Sequence, residues 1–349
     1  MTKRKRNRLL AVIIGLAVVL GLLFFPTKYY VEIPGGSDKL SQFIKVAGKK
    51  DQEKGSYRLM TVGIVGPASP ALLIWGHFQP FSEIVSKSDL MGESTSAEYT
   101  ALQNFYIKSA ANSAVVAAMT QADKPVQTTY KGIYVMSIMK KSQFAQDLKL
   151  GDTITAVNGH HYKRSADYIK AISQYQAGKR VTITFVRNGQ TKTATRKLIH
   201  LSGTKRAGLG ITLTDHTEVT SSPKVKIDAG SIGGPSAGLM FALQVYDQVS
   251  DVDLRQGRTV AGTGTITDNG TVGVIGGIDK KVYAAAKSGA TIFFAPDVPA
   301  TKAILKADPS YVNNYVEAKR AAKKLNTKMK IVPVRKLSDA INYLKETGK

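Results

Sequence analysis

The chain has 349 residues, a formal net charge of +24 and no cysteine. A chain of this length has room for two or three domains with a substantial core. The lack of cysteine excludes a disulfide framework and a thiolate metal site. The positive charge suits nucleic acid, anionic lipid or cell-wall polymer, but no nucleic-acid recognition motif accompanies it. We expect no metal, no cofactor and no nucleic-acid partner.

The N-terminus combines a basic flank with an apolar run. Lys3-Arg4-Lys5-Arg6 precedes an uncharged stretch, residues 9–25, whose 17 residues are at the short limit for a membrane span. Tyr29 and Tyr30 extend it as an interfacial aromatic belt. A cleaved signal peptide is the alternative, although no small-residue cleavage site follows. We predict a retained single-pass anchor at residues 1–29 in the cell membrane, with the basic end in the cytoplasm and the rest outside.

Two strands and a long helix are predicted next. Residues 30–36 are typical of a strand entering a turn, and residues 57–65 give a strong strand signal. Residues 97–121 have the apolar spacing of a helix.

The segment from Tyr130 to Leu198 is compact and rich in strand signals. A helix is predicted at residues 166–175, and a hairpin around Asn188-Gly189. Its pattern Leu-Lys-x-Gly-Asp-x-Ile-x-x-Val-Asn-Gly resembles a PDZ domain, placed at residues 127–201, with a plain spacer domain as the alternative. PDZ domains bind an extended peptide as an added strand. The resemblance implies a peptide-binding loop at Lys131, Gly132, Ile133 and Tyr134.

A run of small residues then precedes a strongly apolar helix. Gly233-Gly234-Pro235-Ser236-Ala237-Gly238 leads into residues 239–243. Pro235 suits a first helical turn, where its missing N–H would be unpaired in any case. Ser236 then lies where free backbone N–H groups and the positive end of the helix dipole converge, which suits a nucleophile whose attack creates an oxyanion. A capping serine in a tight turn is the simpler interpretation.

The base that would activate this serine has two possible identities. Residues 234–238 fit the nucleophile elbow of α/β-hydrolases, but there the histidine follows the serine, and all five histidines here precede Ser236. A chymotrypsin-like order, in which His77 is the base and precedes the serine in the chain, remains an alternative. A lysine also serves if an apolar pocket keeps it neutral. Lys281, in the first turn of a helix after a double glycine, is the candidate, and Lys280 competes with it.

The segment from Val225 to Gly289 closely resembles the proteolytic domain of the Lon peptidase family. The serine motif matches residues 234–238, and the family's catalytic lysine, four residues after the second glycine, matches Lys281. By position Thr263 is the active-site threonine, which helps to orient the lysine. The resemblance implies that Ser236 and Lys281 are catalytic and that Thr263, Gly234 and Pro235 support them.

The chain departs from the family pattern in three places. An acidic residue usually stands three positions before the serine, where this chain has Gly233. Asp279 replaces the first lysine of the usual lysine-x-lysine pair. The sequence also contains no G-x-x-x-x-G-K-[ST] phosphate loop, so the expected proteolysis does not need ATP.

Together these features resemble the membrane-anchored PDZ-containing Lon-like proteases of Gram-positive bacteria. That resemblance implies an α+β architecture: an N-terminal transmembrane helix, a Lon-type proteolytic domain at residues 202–349 with the PDZ-like domain inserted, and residues 30–126 packing on the protease. It implies a serine endopeptidase that cleaves secreted peptides or membrane-protein ectodomains, with the PDZ domain recruiting substrate. Lon domains often form rings, which leaves a homo-oligomer open. The alternative is a non-catalytic surface adaptor that binds peptides through its PDZ domain.

Overall fold

A computed structural model describes residues 3–201, 203, 206–250 and 252–348. Residues 1, 202 and 349, which bound predicted segments, lie outside the described residues. The helices are α1 (Lys3–Phe24), α2 (Pro70–His77), α3 (Lys87–Met91), α4 (Ser96–Gln121), α5 (Ser165–Ser173), α6 (Gly238–Ser250), α7 (Ile278–Lys287), α8 (Lys302–Ala307), α9 (Asn314–Lys324) and α10 (Leu337–Glu346). The strands are β1 (Tyr29–Lys39), β2 (Ile44–Val46), β3 (Ser56–Val65), β4 (Glu83–Ser86), β5 (Val126–Ile138), β6 (Thr153–Val157), β7 (Arg180–Arg187), β8 (Gln190–Lys197), β9 (Ile199–His200), β10 (Ala207–Gly208), β11 (Ile211–Ser221), β12 (Val225–Ile227), β13 (Thr259–Gly262), β14 (Thr265–Ile266), β15 (Val272–Gly273), β16 (Ile292–Pro296) and β17 (Lys330–Val334).

Helix α1 has no buried residue, and its length and apolar composition suffice for a membrane span or a signal sequence. The predicted aromatic belt is wrong at Tyr30, which is only 4% exposed. The reason is that β1 begins at Tyr29, so the side chain of Tyr30 points into the domain instead of towards a membrane.

The larger sheet has six strands in the order β17-β16-β13-β3-β1-β4. Strands β3, β13, β16 and β17 are parallel, and β1 pairs antiparallel with both β3 and β4. The predicted strand at residues 57–65 is confirmed as β3. The predicted turn after residue 36 is instead an irregularity within β1, where a Cβ at Gly35 would lie 2.7 Å from the carbonyl oxygen of Thr61. Glycine therefore lets β1 and β3 stay paired past this point.

Helices cover both faces of this sheet. One face packs on α4, α6 and α10, with Leu59, Val260 and Phe294 in the shared core. The other face packs on α7 and α9, with Met60, Ala261 and Phe293 in the shared core. Adjacent strand residues thus point to opposite faces, which is the alternation expected of a sheet buried on both sides.

The second sheet has five strands in the order β11-β5-β6-β7-β8. Helix α5 and the hairpin of β7 and β8 confirm the elements predicted around residues 166–175 and Asn188-Gly189. Strand β11 pairs with β5 from Ile211 to Ser221. The domain boundary predicted after residue 201 would therefore assign β11 to the proteolytic domain, although β11 is hydrogen-bonded to β5 in this second sheet. This pairing joins residues about 80 apart in the chain, which local sequence patterns do not reveal.

Candidate active site

The serine motif forms a single 3-10 turn, Pro235–Ala237, that runs directly into α6. Gly234 precedes it with a φ of 88°, a conformation that favours glycine. The carbonyl oxygen of Ser236 accepts hydrogen bonds from the Gly264 N–H (2.9 Å) and the Thr263 hydroxyl (3.0 Å). Helix α6 behind the turn is buried along almost all its length, so the serine is held on a rigid support.

Lys281 approaches the serine from the opposite face of the sheet. It lies in the first turn of α7, which follows Gly277, and its side chain is 3% exposed. Its Nζ lies 2.7 Å from Ser236 Oγ and 3.1 Å from Thr263 Oγ1. The structure thus brings together the three residues that the sequence placed at the site, although they lie up to 45 positions apart.

Two adjacent lysines have opposite electrostatic environments. Burial alone lowers the pKa of Lys281 to about 7. Burial also disfavours the charge on Lys280, but Asp279, Glu83 and Glu32 outweigh it and raise the pKa of Lys280. The Nζ of Lys280 lies 3.0 Å from Glu83 Oε2, so this lysine points away from the serine. Of these two lysines, Lys281 is the one that contacts Ser236 and has a pKa suited to a base near neutral pH.

His77 does not share a cavity with the serine. It is exposed at the C-terminal end of α2 and lines a separate cavity with Gln79 and Asp279. This placement gives the chymotrypsin-like order no geometric support.

The serine and lysine line a cleft of about 650 Å³. Most of the other side chains in the cleft are apolar. They come from β3, from the residue range before the serine motif and from the segment before α7: Leu59, Met60, Val62, Ile64, Ile232, Val274 and Ile275. Such a cleft fits an extended peptide with apolar side chains.

Gln103 of α4 explains the glycine at position 233. A Cβ on Gly233 would lie 2.7 Å from Gln103 Cβ, and the Gly234 N–H donates to the Gln103 carbonyl oxygen at 2.9 Å. The helix therefore occupies the space that the family's usual acidic side chain would need. Gln103 was missed at the sequence level, because nothing in the sequence of α4 distinguishes this glutamine from the other polar residues of the helix.

The predicted peptide-binding loop is wrong. Lys131, Gly132, Ile133 and Tyr134 lie within β5 and not in a loop. Residues 132–134 pair with β11, and residues 133 and 134 pair with β6 as well. A peptide cannot add as a strand at Ile133 and Tyr134, because both edges of β5 are already paired there. Tyr134 instead stacks on Phe105 of α4, with ring centroids 3.8 Å apart.

A groove suited to a peptide lies elsewhere in the same sheet. Strand β11 is an edge strand of this sheet, and a cavity of about 220 Å³ lies between β11 and α5. The apolar side chains that line it are Ile169, Ile172, Leu201, Leu209, Ile211 and Leu213. The overlooked signal is Gly208-Leu209-Gly210-Ile211, a glycine-rich turn directly before a strand, in which Gly210 has a φ of +73°.

Two family models match the chain. One, for the PDZ domain, matches residues 117–198, and the other, for the Lon protease (S16) C-terminal proteolytic domain, matches residues 204–342. The two matches together fit a PDZ-containing Lon-like protease. The Lon-type proteolytic domain supports a serine protease, and PDZ domains are of a kind that binds peptides.

Solved structures similar to this chain cover the PDZ region. The PDZ domain of an SdrC-like protein from Listeria monocytogenes is 34% identical over 24% of this chain and 90% of that one, with a TM-score of 0.24. The corresponding domain from Listeria innocua is 29% identical over 24% of this chain and 96% of that one, with a TM-score of 0.24. No curated protein matches the chain.

If the groove beside β11 binds peptides, a negative charge placed in it should weaken peptide binding. Ile169 is 43% exposed on α5, so Ile169→Asp places a carboxylate in the groove without emptying the core. We expect the binding of arrayed peptides, probed with full-length Ser236→Ala protein, to fall at least about tenfold. A peptide that fills the groove would take the new carboxylate out of water, at a cost of roughly 1.4 kcal/mol or more. Ala166→Asp, an exposed change on the same helix outside the groove, is the matched control. Unchanged binding of Ile169→Asp would locate the peptide site elsewhere.

Proposed function

We propose that this protein is an ATP-independent serine endopeptidase in which Ser236 and Lys281 form a catalytic dyad. The observation that carries the proposal is the 2.7 Å contact between Lys281 Nζ and Ser236 Oγ at the wall of a peptide-sized cleft. The burial that lowers the lysine pKa supports it, because a serine hydroxyl needs a neutral base beside it.

The reaction is acyl transfer. Neutral Lys281 accepts the proton of Ser236 as Oγ attacks the peptide carbonyl carbon. The N–H groups of Ser236 and Ala237, at the start of the helix where no intrahelical acceptor faces them, hold the resulting oxyanion. Protonated Lys281 then passes its proton to the leaving amine, and the peptide C–N bond breaks. The same lysine deprotonates the water that hydrolyses the acyl-enzyme.

Thr263 is a positioning residue in this scheme. Its hydroxyl accepts from Lys281 Nζ at 3.1 Å and donates to the Ser236 carbonyl oxygen at 3.0 Å. The Thr263 hydroxyl thus acts as both acceptor and donor, and the two hydrogen bonds hold the Lys281 amine next to the serine.

Substitutions at the dyad test this function. Ser236→Ala should abolish casein cleavage and fluorophosphonate labelling, since it removes the nucleophile. Lys281→Arg should fail equally, because a guanidinium keeps the charge but does not deprotonate in proteins. Thr263→Val should lower kcat by roughly 10- to 100-fold, and Thr263→Ser should restore it.

Lys287→Arg is the control, because Lys287 is an exposed lysine at the far end of the same helix. Wild-type activity of Lys281→Arg would contradict the role of base. A folded wild-type protein that neither cleaves nor labels would favour the peptide-binding adaptor instead.

We also propose that α1 is an uncleaved membrane anchor and that the protease domain lies at the outer cell surface. A basic flank before an apolar helix supports this orientation. The substrates in that location are secreted peptides or the ectodomains of membrane proteins, which the PDZ domain would recruit.

The pairing of the sheets supports an inserted PDZ domain. Strands β1, β3 and β4 precede the PDZ sheet in the chain, yet they share one sheet with β13, β16 and β17, which follow it. We therefore propose that residues 30–126 and the chain from 225 onwards form one proteolytic unit, with the PDZ domain between them.

The absence of cysteine allows a direct test of topology. Gln190 is exposed in a hairpin of the PDZ sheet, and Lys5 is in the basic flank. With a membrane-impermeant maleimide on intact cells, Gln190→Cys should be labelled and Lys5→Cys should be labelled only after permeabilisation. The reverse pattern would contradict the orientation, and release of a shortened protein into the medium would contradict an uncleaved anchor.

A further inference from the structure

An exposed apolar surface lies beside the end of α1. We propose that this surface, formed by Ile74, Trp75 and Phe78, inserts into the headgroup region of the bilayer and fixes the protease against the membrane. The inference rests on the proposed anchoring by α1. It assigns a second membrane contact, made by the folded domain itself.

The three side chains share one face of α2 and the residue after it. Ile74 is 61% exposed, Trp75 42% and Phe78 77%, and positions three and four apart lie on one side of a helix. The opposite side of α2 packs on β1, where a Cβ on Gly76 would lie 2.6 Å from Val31 Cγ1. This close approach holds α2 on the sheet, so the aromatic face stays turned outwards.

Hydrogen bonds tie this surface to the end of the anchor. The Thr27 N–H and hydroxyl both donate to the Ala68 carbonyl oxygen, at 2.9 and 2.6 Å, and the Ala68 N–H donates to the Tyr29 carbonyl oxygen at 2.8 Å. Thr27 is three residues beyond the last residue of α1, a distance of at most about 11 Å. The headgroup layer beyond the hydrocarbon core is on the order of 5–7 Å thick on each side, so the start of α2 is within reach of it.

The chemistry of the surface favours lipid as its occupant. Tryptophan is enriched at membrane interfaces, and Trp75 takes the place that the sequence suggested for Tyr30. Exposed Phe24 and Phe25 at the end of α1 continue the apolar surface towards the bilayer. Exposed Lys28 and Lys87 lie side by side, joined through a backbone hydrogen bond of 2.8 Å, and offer positive charge to anionic headgroups.

This placement brings the catalytic cleft close to the membrane. Val62 and Ile64, which line the cleft, belong to β3, and the chain passes from β3 directly into the turn before α2. A protease held in this way would cleave segments that lie near the lipid surface more readily than segments far from it.

Trp75 is the only tryptophan in the chain, so its fluorescence reports this surface alone. The full-length protein is reconstituted into vesicles of phosphatidylcholine and phosphatidylglycerol, with and without phosphatidylcholine brominated near the glycerol end of its acyl chains. We expect brominated lipid to quench at least about half of the emission and the vesicles to shield Trp75 from acrylamide. The control is Trp75→Phe combined with Tyr175→Trp, which moves the probe to the end of α5 and should escape the brominated lipid.

The possible outcomes separate the inference from the anchoring. Protein that floats with the vesicles but shows no quenching by brominated lipid keeps its anchor and overturns the inference. Protein that does not float contradicts the anchoring, and the inference falls with it. A third outcome is that Trp75 is shielded from acrylamide but is not quenched by brominated lipid. If that shielding is lost when the protein is diluted into excess vesicles, the surface contacts a second copy of the chain and not lipid.

Discussion

In the part of the chain that the structure describes, no carboxylate stabilises the charge of the Lys281 amino group, which is buried beside Ser236, and the proposed chemistry depends on that condition. A buried lysine without a counterion favours its neutral form, because burial removes the water that would solvate the charge. The next residue, Lys280, has the opposite surroundings, with Asp279, Glu32 and Glu83 near its Nζ. A turn of about 100° along one helix thus separates a neutral base from a paired cation.

The fold brings Ser236 and Lys281 together from two different layers. The serine turn belongs to the helical layer on one face of the large sheet, and α7 belongs to the layer on the other. They meet where β13 ends, and Thr263 follows that strand directly. A further buried ion cluster supports the first layer: Arg255 bonds Asp51 and Glu53 and lies near Asp247 of α6. Burial raises the pKa of Asp247 to about 8, with hydrogen bonding and charge from Glu53 adding to it.

The sequence predicted features that depend on short-range spacing and missed those that depend on distant pairing. The double glycine before Lys281, the serine turn and the hairpin at Asn188-Gly189 are local, and the structure has each where it was expected. The peptide groove was assigned to residues 131–134 because the pairing of β5 with β11 is invisible locally. The space filled by Gln103 and the inward orientation of Tyr30 likewise follow from tertiary packing.

The pKa of Lys281 tests the central claim most directly. Lysine labelled with ¹³C at Cε can be titrated by NMR, and Lys281→Met identifies the signal by its loss. The account predicts a pKa of about 7. Below that pH the amine is protonated and has no lone pair to accept the serine proton, so kcat/KM should fall as pH falls through the same value. A Lys281 pKa near the ordinary lysine value of about 10.4 would contradict the account, because the amine would then be charged at neutral pH.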